Sequence, residues 1–124
     1  MDAPTIDERN ILEATRLAMA QAVSQMSPPP DYLVIDATAL PFLSVEQRLV
    51  IKGDGLCLSV AAASVVAKVT RDRLMAEAHV RFPEYGFGKH KGYGTEEHLR
   101  QLQRLGPCEL HRRSFRPVRE GARR

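Results

Sequence analysis

Two carboxylates stand where surface solvation explains them least. Asp36 closes the apolar run Tyr32-Leu33-Val34-Ile35, and Asp72 follows the small-residue, apolar stretch Ser59 to Val69 within an abrupt cluster of charge, Lys68-Val69-Thr70-Arg71-Asp72. Carboxylates converging from separate elements are what hard divalent cations require. Two such ions, about 3.5–4 Å apart, activate water and offset charge on the leaving oxygen of a phosphodiester. Each aspartate also has a plainer reading: Asp36 as the cap that starts a loop, Asp72 as the intrahelical partner of Lys68 four residues earlier.

Aromatic and basic residues alternate through the next segment, with Tyr85, Phe87, Lys89, Lys91 and Tyr93 set among glycines. Lys52, Lys89, Lys91, Arg112 and Arg113 are candidates for phosphate contacts, which give affinity and salt dependence rather than sequence preference. Each is equally readable as a solvated surface charge. His79, His90, His98 and His111 lack the spacing of zinc ligands, and Cys108-Glu109-Leu110-His111 is one isolated pair, so no structural zinc is expected. Asp54 after Gly53 reads as a turn residue.

Composition bounds these readings. A chain of 124 residues makes about one small domain. With 44% hydrophobic and 27% charged residues it has the balance of a soluble globular protein. No apolar run approaches the roughly 18 residues of a bilayer span. The first residues carry acidic groups and no apolar core of a signal peptide, which predicts a cytoplasmic protein with Cys57 and Cys108 reduced. The net charge of +3 is modest, but Arg112, Arg113, Arg116, Arg119, Arg123 and Arg124 crowd one end against a lone Glu120. That end could touch a polyanion, or residues 119–124 could be a frayed basic tail.

The elements that would position these groups follow from patterning. Thr5 as N-cap and Glu8 three residues on predict a first helix, amphipathic through Ile11, Leu12, Ala18, Met19, Ala22, Val23 and Met26, that stops at Ser27-Pro28-Pro29-Pro30. Tyr32 to Ile35 predicts a strand buried on both faces, with Asp36 at its carboxyl end, and Leu49-Val50-Ile51 predicts a second. A helix from about Leu58 to Phe82 follows, apolar all round and expected to be buried from Val60 to Val69, then amphipathic with Leu74, Met75, Ala78 and Phe82 inward. After an ordered loop, Thr95 caps a last helix carrying Leu99, Leu102 and Leu105 on one face and stopping at Gly106-Pro107. Two short strands and three helices make an α/β arrangement with too little sheet to cover its most apolar helix.

Together, Val34-Ile35-Asp36, Lys52-Gly53-Asp54, Ser59 to Asp72, Gly86 to Thr95 and His111-Arg112-Arg113-Ser114-Phe115 resemble ribonuclease HII, and the likeness runs from Ile6 to Val118. The resemblance implies that residues 5–118 form the C-terminal part of an α/β, ribonuclease H-like fold, with the first three strands of the family fold missing and 119–124 as a basic tail. It implies an endonuclease that cuts the RNA strand of RNA–DNA hybrids, and ribonucleotides embedded in duplex DNA, by two-metal hydrolysis with Mg2+ or Mn2+. Asp36 and Asp72 match two of the family's four active-site carboxylates. Tyr93 matches the tyrosine that stacks near the ribose and senses its 2′-hydroxyl. The other two carboxylates lie in an Asp-Glu-Ala-Gly-Arg-Gly motif that this chain does not contain, and Asp7-Glu8, which opens a helix, does not replace it. Ala37 stands where the family usually has glycine, so a slight backbone adjustment is expected. The shortage of carboxylates leaves three expectations: an impaired nuclease, a non-catalytic nucleic-acid-binding remnant, or a fragment that pairs with a complementary N-terminal polypeptide or with itself.

Overall fold

The computed structural model describes residues 1–121. Among them are one two-stranded parallel sheet and seven helices: α1 (Ala3–Arg9), α2 (Ile11–Ser24), β1 (Tyr32–Asp36), β2 (Glu46–Val50), α3 (Gly53–Leu56), α4 (Leu58–Arg81), α5 (Phe87–His90), α6 (Glu96–Leu105) and α7 (Arg116–Gly121). The backbone divides into two compact units. One comprises Met1 with Arg9–Val66, the other Asp2–Glu8 with the chain from Ala67 onward.

The expected first helix is two helices. Asn10 breaks the run with φ 71 and ψ 164, and its side chain accepts from the amides of Leu12 and Glu13 at 3.0 and 3.1 Å, capping α2. Thr5 is no N-cap. Its own amide donates to Asp2 Oδ1 at 3.0 Å, so the acidic cap sits three residues earlier than the Thr5/Glu8 pattern predicts.

In the first unit, β1 and β2 run parallel in a register from Tyr32 opposite Glu46 to Asp36 opposite Val50. Residues 37–45 cross between them without a helix, which a parallel pair usually needs. Two features hold this short crossover. Leu40 is 1% exposed, and the Gln47 side chain both accepts from the Leu40 amide at 2.9 Å and donates to the Leu40 carbonyl at 2.8 Å. That anchoring places Glu46-Gln47-Arg48 in β2, earlier than the apolar run Leu49–Ile51 suggested. Ladder bonds are made by backbone, and the side chains of β2 are mostly open to solvent, so hydrophobicity did not mark the strand.

Burial differs from expectation too. Only Ile35 of β1 is buried, and in the first half of α4 Val65 and Val66 are 61% and 67% exposed, whereas both stretches were expected to be covered. Two five-residue strands offer too little apolar surface to cover a helix that is apolar on every side. Val60 is the exception. It is buried near Gly53, where an added Cβ would lie 2.4 Å from Val50 Cγ2 and 3.1 Å from Val60 Cγ1.

Asp36 leads into a tight turn. The Ala37 amide donates to the Val50 carbonyl at 3.0 Å, the Thr38 amide donates to the Asp36 carbonyl at 2.8 Å, and Ala37 is driven to φ 62. A side-chain-bearing residue is strained there, which accounts for the glycine expected at this position.

The second unit is built on aromatic and imidazole rings. Ala78, Tyr85 and Phe87 form its buried centre with Met75, Phe82 and Cys108 against them, while Leu74, expected inward, is exposed. Tyr85 and Phe87 stack at 5.4 Å, and the Tyr85 hydroxyl donates to the Gly106 carbonyl at 2.8 Å. Of the apolar face expected on α6, Leu102 is buried and Leu105 is open. Arg119 to Gly121, expected in a frayed tail, belong to α7; residues 122–124 lie outside the described residues.

Three histidines are buried in this unit: His90 at 6%, His98 at 8% and His111 at 7% exposure. Their hydrogen bonds fix their protons. His111 Nδ1 accepts from the Cys108 amide at 3.1 Å, so its proton is on Nε2, 3.1 Å from His98 Nε2. His98 Nε2 therefore accepts, and His98 Nδ1–H donates to the Tyr93 carbonyl at 2.9 Å. His90 Nδ1 accepts from the Gly92 amide at 3.2 Å and its Nε2–H donates to the Tyr85 carbonyl at 2.7 Å. All three rings are satisfied as neutral imidazoles. Burial pushes the basicity of His98 and His111 down, that of His111 to about 4, helped by the neighbouring His98. Burial likewise raises the Cys108 thiol, keeping it protonated and able to donate to His111 Nδ1 at 3.1 Å.

Two outcomes are expected. Ala37→Gly relieves the left-handed strain and should raise the free energy of unfolding by about 0.5–1 kcal/mol in a denaturant titration. The depressed His111 stabilises the fold fully above the unfolded imidazole value near about 6.5, and that contribution is lost as pH falls toward about 4. Between about pH 7 and about pH 5 the unfolding free energy should fall by about 2 kcal/mol, and His111→Gln should flatten that dependence.

Candidate functional site

The two expected carboxylates belong to different units and have different surroundings. Asp36 is the last residue of β1, exposed, with Oδ1 accepting from the Gly53 amide at 3.3 Å. That amide reaches it because Lys52 takes a left-handed turn at φ 55 directly after β2. Lys52 itself is exposed.

Asp72 lies in α4, one turn after Lys68. The Lys68 ammonium donates to both carboxylate oxygens, at 2.9 and 3.1 Å. This bond holds the Asp72 carboxyl below the usual range, with the positive charges of Lys91 and Arg71 adding to it, and it raises Lys68 in turn. The plainer reading of Asp72 as an intrahelical partner is thus realised, but it is not the whole of its setting.

Tyr93 joins that setting from the loop. Its ring, 52% exposed, lies with the Arg71 guanidinium 4.3 Å and the Lys68 ammonium 5.3 Å from its centre. Gly92 makes the approach possible: at φ 76, an added Cβ would meet Met75 Sδ at 3.3 Å and Arg71 Nη2 at 3.7 Å. One carboxylate, two cations and one aromatic face are therefore brought together. The i, i+3, i+4 spacing of Lys68, Arg71 and Asp72 was legible in the sequence, since such residues share a helix face. Their meeting with Tyr93 depends on the loop's folded path, and Lys68 and Arg71 were accordingly missed as site residues.

The remaining basic candidates have mixed surroundings. Lys91 ends α5 at φ 51 and contributes to the field at Asp72. Lys89 is engaged by Glu97 at 2.6 Å, a bond that lowers the Glu97 carboxyl. The Arg112 guanidinium lies 4.7 Å from the Phe115 ring centre. Arg113 is exposed at its side chain, while its amide donates to Asp7 Oδ2 at 2.7 Å and the Ser114 amide to Asp7 Oδ1 at 2.9 Å. Asp7, read from the sequence only as part of a helix start, lies instead near the end of α1 and fixes the turn that carries both arginines.

A divalent ion needs about six oxygen donors. Among the described residues no group of three or more His, Cys, Asp or Glu side chains is placed to hold a metal ion, and both oxygens of Asp72 are engaged by Lys68. The described residues by themselves do not fit a divalent cation. Nor, among them, is any helix long and apolar enough to cross a membrane.

The profile of the ribonuclease HII family matches residues 1–118. A ribonuclease HII from Geotalea uraniireducens is 55% identical over 122 residues, covering 98% of this chain and 56% of the relative. One from Geobacillus kaustophilus is 58% identical over 120 residues, 97% of this chain and 46% of the relative. One from Chlamydia trachomatis serovar A is 54% identical over 115 residues, 93% and 52% respectively. The chain spans about half the length of the curated relatives it matches. With Tyr93 set against the Val-Thr-Arg-Asp turn of α4 and this likeness over nearly its whole length, the chain belongs to the ribonuclease HII family.

Proposed function

We propose that this chain carries part of a ribonuclease HII-type site that recognises and hydrolyses ribonucleotides, in RNA–DNA hybrids or embedded in duplex DNA, and that its hydrolytic capacity alone is impaired. The observation that carries this reading is the meeting of Tyr93, Arg71, Lys68 and Asp72. A half-exposed aromatic face stacks on a sugar or base, and cations beside it draw the phosphate, so the cluster suits a nucleotide. The tyrosine hydroxyl is suited to reading the ribose 2′-hydroxyl, the group that separates RNA from DNA. Lys52, Lys91, Arg112 and Arg113 would add sequence-independent phosphate contacts, and Lys89 would do so on release from Glu97.

Family membership implies dependence on a divalent metal, and Mg2+ or Mn2+ would supply charge and an activated water. Asp72 would offer its carboxylate to such an ion only when Lys68 turns away from it, and Asp36 is the corresponding candidate in the first unit. The shortage of further donors is the reason for proposing impairment.

The exposed apolar residues of the first unit, Ile51, Leu56, Leu58, Val65 and Val66, favour a second and compatible reading: association with another copy or with a complementary polypeptide.

On a DNA duplex bearing one ribonucleotide, with Mn2+, the chain should show slow cleavage at most, and Asp72→Asn should abolish it. Tyr93→Ala should weaken binding by about tenfold and erase the preference over an all-DNA duplex. Turnover that survives Asp72→Asn, or a preference that survives Tyr93→Ala, refutes the site. Sedimentation velocity over a wide concentration range should show mass rising with concentration. A compact monomer throughout would remove self-association.

A further inference from the structure

We propose that His98 and His111 are positioning residues for Tyr93: their hydrogen-bonded pair fixes the peptide from which the tyrosine ring stands over Arg71 and Lys68. The inference rests on Tyr93 as the ribose-reading group, and it adds a role for buried histidines that the site does not otherwise use.

A side chain as exposed as Tyr93 is held only by its contacts with Arg71 and Lys68 on one face, so the placement of its backbone decides where the ring can stand. That backbone is gripped at both ends by histidines. The Tyr93 amide donates to the His90 carbonyl at 2.9 Å. The Tyr93 carbonyl accepts from His98 Nδ1–H at 2.9 Å and from the Thr95 amide at 2.8 Å. Thr95 is tied back in turn, its hydroxyl oxygen accepting from the His98 amide at 3.3 Å.

His98 can donate through Nδ1 only if its other nitrogen is an acceptor. His111 sets that state. With Nδ1 occupied by the Cys108 amide and thiol, His111 presents Nε2–H to His98 Nε2 at 3.1 Å. The His90 ring stacks on His98 at 4.2 Å and 11°, and Phe87 meets His98 edge-on at 5.7 Å, leaving the imidazole little freedom to rotate. A purely apolar filling of this centre would avoid desolvating polar rings. The polar chain from Cys108 through His111 and His98 ends on the peptide that carries the half-exposed Tyr93 ring.

Two substitutions at one position separate positioning from packing. In His98→Asn the shorter amide can donate from near the Nδ1 position to the Tyr93 carbonyl but cannot reach His111. In His98→Gln the longer amide reaches His111 and leaves that carbonyl without its side-chain donor. The preference for a ribonucleotide-bearing duplex over all-DNA should be kept in His98→Asn and reduced about fivefold in His98→Gln, with exchange protection of the Tyr93 amide following the same order. If both substitutions reduce the preference equally, or Gln is the milder, positioning is overturned.

Imidazole nitrogen shifts of the unaltered chain give a measurement that needs no variant. They should report His98 protonated on Nδ1 and His111 on Nε2; the opposite tautomers would overturn the inference. If the unaltered chain shows no ribonucleotide preference, the reading of Tyr93 fails, while amide protection and the tautomers still decide whether the histidines place it.

Discussion

The second unit depends on His98 and His111 remaining neutral where a charged ring would face the other. His98 and His111 meet through their Nε2 atoms, an arrangement that works with one proton between them and becomes two opposed donors with two. Desolvation keeps both rings uncharged, and the raised thiol of Cys108 keeps its own proton to donate. Around this polar thread the Tyr85 and Phe87 rings stack and α6 is anchored. Fold and site are therefore not separable here, because the same bonds that satisfy the interior end on the Tyr93 loop.

The two aspartates illustrate how differently two candidate carboxylates can be supported. Asp36 is held by a backbone amide across the end of a parallel strand pair, and that geometry is imposed by two left-handed residues, Ala37 and Lys52. Asp72 is held by the flexible ammonium group of a residue one helical turn earlier. The first arrangement stores strain close to a carboxylate; the second stores a replaceable partner.

Legibility in the sequence followed the range of the forces involved. α4 and α6 were readable because periodicity and caps act over a few residues: α4 begins at Leu58 and Thr95 caps α6, as patterning predicts. The break at Asn10 was not, since a single residue at φ 71 overrides an otherwise continuous amphipathic run. Expected burial failed for Val65 and Val66 because burial belongs to what covers a residue, and no pattern within α4 can state that. Family resemblance marked Asp36, Asp72 and Tyr93, and helical spacing marked the Lys68–Asp72 pair, yet the meeting of Lys68 and Arg71 with Tyr93, and the imidazole thread behind it, arise only when residues distant in sequence fold together. Histidines judged by metal-ligand spacing alone were dismissed as zinc ligands without their actual work being visible.

Asp7 accepts from the amides of Arg113 and Ser114 and from the Ser114 hydroxyl, joining residues more than a hundred positions apart. The second unit is thus discontinuous, with Asp2–Glu8 taken from the start of the chain and everything else from beyond Ala67. Closing so long a loop is entropically costly. One carboxylate thus ties both segments of this unit together, so loss of the Asp7 side chain would release the Arg113–Ser114 turn from Asp2–Glu8.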